Sequence, residues 1–308
     1  MLSDQLREAL TLGRLDVLTT SAPVDRRDRF LTLQQVYALH LAPLSSLGHR
    51  VVLQHDPTIA TLKQQLESAW VHELDSQLGL GNPSTPDEVH EALLDIAVAD
   101  RLPASYKWLA NDATWDELVE FLAIEGGPDG GFDDLVALCQ VGLVGEPKLE
   151  LARNYWDEMG NGTLDAVHTV LHDDLVAAAA MPRVPEEEQS EEALERAALN
   201  GLLATNRYLQ PEFVGALGMT ELQAGPRCRL VVQALERLGA PAGTLPFYRE
   251  HAEVDPRHGA DWVQNAVKPL VAADPSWGRR IVRGAAWRAR TNLAFFASVA
   301  PVRLAVAS

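Results

Sequence analysis

The chain has 308 residues, a formal net charge of −17 and an isoelectric point near 4.9. Such an excess of acidic residues argues against nucleic acid or an anionic membrane surface as the main partner. Cys139 and Cys228 are too few for a disulfide framework, and they fit a reducing compartment as buried small hydrophobes. The sequence has neither a basic leader followed by an apolar run nor an apolar stretch long enough to span a membrane. We therefore expect a soluble cytoplasmic protein with a small-molecule ligand and with no nucleic-acid or membrane partner.

The spacing of apolar residues predicts an all-α fold. Apolar residues recur at intervals of three and four along most of the chain, and alternating β-branched runs bounded by turns are scarce. The first part reads as several helices separated at Pro23, Pro43 and Pro57, without recognisable chemistry. We therefore predict two domains. Residues 1–105 form an N-terminal helical extension packed on the core, and residues 106–308 form the domain that carries the chemistry.

Two charged segments are predicted to be solvated. The first is the cluster of residues 26–29, and the second is the acidic stretch of residues 182–195. Near the C-terminus, Arg280 and Arg283 belong to a basic helical face that we interpret as a salt-bridging surface, with recognition of an anionic substrate group as the alternative.

A capping box marks the start of a helix at Thr114. Its hydroxyl can accept from the backbone N–H of Glu117, and the Glu117 side chain can return to the backbone of Thr114. Continuing this helix puts Glu125 on the buried stripe, where a carboxylate is costly unless it is paired or metal-bound. Glu125 is therefore a candidate metal ligand, with a helix-end salt bridge as the alternative.

A second carboxylate, Glu158, lies at the C-terminal end of a helix predicted for residues 148–159. Acidic groups there oppose the helix dipole, so a compensating partner is expected. Thr163 is predicted to cap the next helix, in which His168 and His172 follow at i and i+4. Whichever histidine faces inward can join Glu158 across the Gly-rich break.

Two further helices are predicted for residues 211–224 and 226–239. Glu221 falls in line with the apolar stripe of the first one. It is a possible additional ligand, as is His172, but a capping role beside Thr220 and Gln223 is equally open.

The most informative pattern combines His251, Asp255 and His258 at i, i+4 and i+7. At about 100° per residue the three side chains lie within roughly 40° of one another on a helix. Imidazole and carboxylate ligands suit iron, manganese or zinc. Pro256 removes one helical hydrogen bond to the carbonyl of Ala252 and so predicts a local deformation. The alternative is a hydrogen-bonded polar seam in a metal-free enzyme or binding protein on the same helical scaffold.

In chain order, the sequence contains a Glu, then a Glu-x9-His pair, then a His-x3-Asp-x2-His motif. This order of motifs resembles that of the haem-oxygenase-like di-iron oxidases and oxygenases, which are also called iron-containing redox enzymes. The candidate ligands are Glu125, Glu158, His168, His251, Asp255 and His258. The resemblance implies a seven-helix haem-oxygenase-like bundle without haem, preceded by additional N-terminal helices. It also implies two irons (Fe²⁺/Fe³⁺), with O2 as co-substrate.

By the same resemblance, Glu158 would bridge the irons. Glu125, His168 and His258 would complete one iron, and His251 with Asp255 the other. A homodimer is expected from the family, and an external electron donor remains an option.

Members of this type N-oxygenate amines, cleave C–C bonds of fatty or amino acids, or convert amino-acid side chains. The wide interval between Glu158 and His168 resembles that of the N-oxygenating members. We therefore predict N-oxygenation of a small amine, amino acid or aminoazole in specialised metabolism. Oxidative C–C cleavage or decarboxylation of an amino or fatty acid is the alternative.

Overall fold

The structure is a computed structural model that describes residues 1–19, 22–76, 78–99, 102–125 and 131–299. Helices make up the regular secondary structure of this part of the chain, and no strand occurs in it. The prediction of an all-α fold is confirmed. The α-helices, in chain order, are α1 (Leu2–Leu12), α2 (Arg26–Leu41), α3 (Leu44–Leu47), α4 (Pro57–Ser76), α5 (Pro86–Ala99), α6 (Ala104–Asn111), α7 (Trp115–Glu125), α8 (Phe132–Cys139), α9 (Gly145–Glu158), α10 (His168–Ala179), α11 (Glu191–Ala204), α12 (Gln210–Arg237), α13 (Leu245–Asp261), α14 (Lys268–Ala273) and α15 (Ser276–Ser298).

The described residues form two compact units that differ from the predicted division at residue 105. One unit takes its residues from Met1–Leu78 and Pro185–Arg207, and the other from Gly79–Val184 and Tyr208–Ser308. The first therefore contains α1 to α4 and α11, and the second contains the remaining helices. Whether a domain boundary lies at residue 105 stays a prediction.

In the first unit, the charged cluster at residues 26–29 is partly buried, so the prediction that it is solvated is wrong. Asp28 is inaccessible to solvent and accepts hydrogen bonds from the backbone N–H groups of Leu2 and Ser3 and from the Ser3 hydroxyl. Arg29 is also buried and pairs with Glu73. These partners lie in distant segments of sequence, and they supply the polar contacts that a buried charge requires.

The acidic stretch is also not entirely solvated. Glu195 on α11 is buried, accepts from the indole N–H of Trp70 at 2.9 Å and pairs with Arg26 at 3.0 Å. Trp70 meets Phe30 edge-on with ring centroids 5.1 Å apart, at the centre of this unit's core.

In the second unit, α12 packs against α6, α13 and α15. Glycines allow α12 and α15 to approach each other closely. A Cβ at Gly215 would overlap the carbonyl of Ile281, and a Cβ at Gly284 would overlap the carbonyl of Glu212. Glu212 is fully buried and pairs with Arg280 and Arg283, so the interpretation of this basic face as salt-bridging is confirmed for these two arginines.

The two helices predicted around Pro226 are a single helix, α12. Proline removes one backbone donor but does not end a helix whose neighbours hold it by packing on several sides. Pro256 is likewise accommodated within α13, with its ring against Gly225. The helix is not interrupted at Pro256 as predicted, and the irregular backbone lies further along the chain, where Trp262–Val267 form a π-helical segment that leads into α14.

Candidate metal centre

Three helices and one helix end bring six potential ligands together inside the second unit. They form two groups of three, within each of which one ligand atom per residue lies within 4.8 Å of the others. The first group is Glu158, His168 and His251, and the second is Glu221, Asp255 and His258.

The first group depends on a tight turn between α9 and α10. Glu158 ends α9, and a 3₁₀ turn at Gly160–Gly162 reverses the chain. Gly160 has φ of +58°, and a Cβ there would overlap the backbone of Ala166 and Val167. Only glycine fits this combination of positive φ and close backbone contact.

The reversal returns His168 to Glu158. The helix predicted to start after Thr163 begins instead at His168 itself, after a short 3₁₀ turn at Leu164–Ala166. Nδ1 of His168 lies 2.7 Å from Oε2 of Glu158, and both side chains are buried. Although burial lowers the pKa of His168, the hydrogen bond and charge of Glu158 raise it overall. The imidazole and the carboxylate are thus held as a close pair.

His251 completes the first group from α13. Its ring centroid lies 4.5 Å from that of His168. Nδ1 of His251 is 2.8 Å from the carbonyl oxygen of Phe247, so Nδ1 carries the proton and donates. Nε2 then remains as the basic nitrogen. Burial lowers the pKa of His251, which keeps the imidazole neutral as a metal ligand must be.

The second group is formed by α12 and α13. Glu221, Asp255 and His258 are each less than 5% exposed. Burial, followed by the charges of Glu221 and Glu158, raises the pKa of Asp255 well above its ordinary value. Oδ2 of Asp255 has no hydrogen-bond partner among the described residues. A buried carboxylate with an open oxygen beside two other carboxylates is what a bound cation would stabilise.

His258 lies between two carboxylates. Its Nε2 is 2.9 Å from Oδ2 of Asp157, and its Nδ1 is 3.7 Å from Oε2 of Glu221. Burial alone would lower the pKa of His258, but Glu221 and then Asp157 raise it to about 9. When Nε2 donates to Asp157, Nδ1 is the nitrogen that faces the second group.

Buried residues of α9 support these ligands from outside. Asn154 donates from Nδ2 to Oε1 of Glu221 at 2.6 Å, which orients that carboxylate. One turn earlier, Glu150 accepts from Asn265 of the π-helical segment at 2.9 Å. Glu150, Asn154 and Glu158 therefore form one polar stripe along α9. Their four-residue spacing can be read from the sequence, but the roles of Asn154 and Asp157 cannot, because they depend on contacts with α12 and α13.

The structure brings together five of the six predicted ligands, and it groups them differently from the arrangement that the resemblance implies. His251 lies with Glu158 and His168, whereas His258 lies with Asp255. Glu221 joins them as a full member of the second group. Its alternative role as a helix cap is wrong, because Glu221 lies in the middle of α12.

Glu125 lies outside both groups. Its Oε1 accepts from the hydroxyl of Tyr106 at 2.9 Å, and its Oε2 lies 3.4 Å from the hydroxyl of Tyr248. Both tyrosines are anchored in the core, so they hold this carboxylate at the end of α7. His172 also lies outside the groups, with its ring edge-on to Phe247. Whether either residue binds metal stays a prediction.

The residues present fit a metal centre. Neighbouring charges couple the two groups, since Glu158 and Glu221 both act on His251 and on Asp255. Three imidazoles and three carboxylates, with no thiol in either group, form a donor set suited to iron or manganese. Metal-ligating side chains inside a helical scaffold are typical of carboxylate-bridged metal enzymes.

A comparison with protein families identifies a match to the family described as iron-containing redox enzymes, over residues 120–292. The chain belongs to this family. The match covers more than half of the 308 residues and includes every member of both groups. The fold is therefore the all-α, haem-oxygenase-like fold of these enzymes, and the protein is an iron-dependent oxidoreductase.

A comparison with curated proteins found no match. Among the described residues, no helix combines the length and apolar character needed to cross a membrane.

Proposed function

We propose that this iron-containing redox enzyme is a non-haem di-iron oxygenase that N-oxygenates a small amine, amino acid or aminoazole. The observation that carries the proposal is the pair of three-residue groups on adjacent helices. Each group contains imidazole and carboxylate, the mixture used for oxygen-activating iron. Bound iron would supply the redox chemistry, which no side chain in the site offers.

The role of the protein chain is to hold the ligands in a fixed protonation state and orientation. The carbonyl of Phe247 fixes the tautomer of His251, and Asp157 accepts a hydrogen bond from the Nε2–H of His258. Asn154 occupies one oxygen of Glu221 and leaves the other directed towards His258. Such outer contacts set both the geometry and the basicity of metal ligands.

Negative charge around the site favours an amine over a carboxylic acid as substrate. Glu250 lies close enough to act on the pKa values of His168 and Asp255. A cavity of about 320 Å³ beside Asp157 and Glu250 also has Asp165 and Glu253 in its lining, and these four acidic side chains outnumber the one basic side chain there, that of Arg249. A substrate carboxylate approaching this side would be repelled, whereas an ammonium group would be attracted.

The metal part of the proposal is tested by iron stoichiometry. Wild-type protein loaded anaerobically with ferrous ion should retain about two irons per chain, and His168→Ala and Asp255→Ala should each retain about one. His72→Ala is the control, since it removes an exposed histidine of α4 outside both groups and should leave two. Wild-type levels of iron in both ligand variants would exclude these groups as the metal site.

The chemical part is tested by product analysis. Iron-loaded protein, O2 and a reductant are incubated with a panel of amines and amino acids, and mass spectrometry follows the incorporation of ¹⁸O from ¹⁸O2. The proposal expects products that keep every carbon atom and gain oxygen on nitrogen. Shortened or alkene products from acids, with amines left unchanged, would replace it with oxidative C–C cleavage. Cytoplasmic location, a homodimeric state and an external electron donor remain predictions.

A further inference from the structure

An apolar cavity lies against the second group, further along α13 than the acidic cavity. It has a volume of about 250 Å³ and is lined from α5, α12, α13 and the π-helical segment. Glu221 belongs to the lining, whereas Asp255 and His258 do not, so the cavity adjoins the second group at Glu221. Apart from Glu221 and His90, the lining residues are aliphatic, proline or glycine.

The mouth of this cavity is open and apolar. Leu94 and Val98 on α5 are 42% and 66% exposed, and Ala260 on α13 is exposed as well. Further in, Ala97 and Val263 are almost completely buried. The cavity thus runs from an apolar rim at the surface towards Glu221, and an apolar group can enter it without displacing the metal ligands.

Close packing fixes the inner wall. A Cβ at Gly225 would lie 2.8 Å from Cδ of Pro256, and one at Gly259 would lie 3.1 Å from the backbone of Leu222. The helices that carry Glu221 and His258 are therefore in direct contact beside the cavity. A wall held in this way keeps its shape, which is the condition for discriminating substrates by size.

We propose that this cavity is the substrate's apolar subsite, and that the amine substrate carries an alkyl or aryl group which lies against α5 while its nitrogen faces the candidate metal centre. This rests on the proposed function and narrows its substrate class. A benzene-sized ligand fills a cavity of about 150 Å³, so a group of roughly six to ten carbon atoms fits here. The acidic cavity beside Asp157 is less suited to such a group, because five of its ten lining residues are charged.

The test is a binding series with n-alkylamines from butylamine to decylamine. Binding to the iron-loaded full-length protein is measured by calorimetry without oxygen, so that no turnover occurs. Each added methylene should strengthen binding by about threefold to fourfold until the cavity is full, and the gain should then stop. Affinity independent of chain length, or n-alkyl carboxylates that bind more tightly than the amines, would overturn the assignment.

Two variants locate the subsite. Ala260→Phe places a ring across the rim at an exposed position, and it should weaken octylamine binding by tenfold or more while leaving butylamine almost unaffected. Ala272→Phe on α14 is the control, because Ala272 is exposed, helical and outside the cavity. Equal effects of the two variants on octylamine would place the apolar subsite elsewhere.

These outcomes separate the subsite from the reaction. If the affinity for amines increases with chain length as expected but no oxygenated nitrogen is formed, the subsite is supported and the proposed N-oxygenation is rejected. If short polar amines are N-oxygenated and chain length has no influence on binding, the proposed reaction is supported and the proposed subsite is rejected.

Discussion

Arg229 donates a hydrogen bond of 2.8 Å to the carbonyl of Ala252, the carbonyl that Pro256 leaves without its helical N–H partner. The proline on α13 is therefore compensated by a side chain from α12. The positive charge of Arg229 also lowers the pKa of Asp255, against the stronger effects of burial and of the neighbouring carboxylates. One arginine thus supports both the helix backbone and the charge state of a candidate ligand.

Replacing this arginine tests both effects. Arg229→Met should lower the free energy of unfolding by about 1 kcal/mol, measured with urea, because the Ala252 carbonyl loses its partner. It should also weaken ferrous ion binding near neutral pH, since Asp255 holds its proton more tightly. Arg183→Met, at an exposed position, is the control. Unchanged stability together with unchanged iron affinity would show that this contact has no role.

Asn154 provides a second test, because its contact with Glu221 is buried and direct. Asn154→Leu keeps the approximate volume but removes the donor, and we expect iron affinity to fall about 10- to 100-fold. Asn154→Gln retains an amide donor on a longer side chain and should recover part of the loss. If the leucine variant binds iron as the wild type does, Asn154 does not position Glu221.

The local part of the candidate site followed from the sequence. The capping box at Thr114 and Glu117 forms as predicted and starts α7. The spacing of His251, Asp255 and His258 placed them on one helix, and the structure confirms this. Such features depend on residues within two turns of one another, so helical geometry is enough to predict them.

The distant part did not follow from the sequence. Glu125 and Glu221 both lie on apolar stripes, and only the packing of α12 against α13 determines which of them meets His258. The sequence suggests that Asp28 is a surface charge, whereas in the structure it is held by hydrogen bonds from the backbone N–H groups of α1. In each case the partner is far away in the chain, and helical periodicity carries no information about it.

The pH dependence of the metal-free protein provides a third prediction. The folded pKa of His258 is about 9, above the ordinary value of 6.5. A group with a raised folded pKa contributes stability that is complete below its unfolded pKa and is lost as the pH rises through the folded one. Asp255, whose pKa is also raised, acts in the same direction. The melting temperature without metal should therefore fall between about pH 6.5 and 9.

Bound iron should oppose this fall in melting temperature with rising pH. Iron binding requires the neutral imidazole of His258 and therefore releases its proton. The thermal stabilisation by ferrous ion should increase over the same pH range. Asp157→Asn removes one of the two carboxylates that hold the His258 proton and should flatten the metal-free profile. A wild-type profile in this variant would contradict the role assigned to Asp157.

The turn at Gly160 gives the last prediction, with a matched control elsewhere in the chain. Gly160 and Gly239 both have positive φ, of +58° and +64°, but only Gly160 is in close contact with neighbouring backbone. Gly239→Ala should cost about 1 kcal/mol from backbone strain alone. Gly160→Ala should cost more than that, since the backbone at Ala166 and Val167 must move away.

That movement would also separate His168 from Glu158, because both flank the turn. Gly160→Ala should therefore lose about one iron per chain, while Gly239→Ala keeps wild-type iron content. Urea unfolding and iron analysis of the two variants give the comparison. Equal iron content in both would mean that the turn stabilises the fold without positioning the first group.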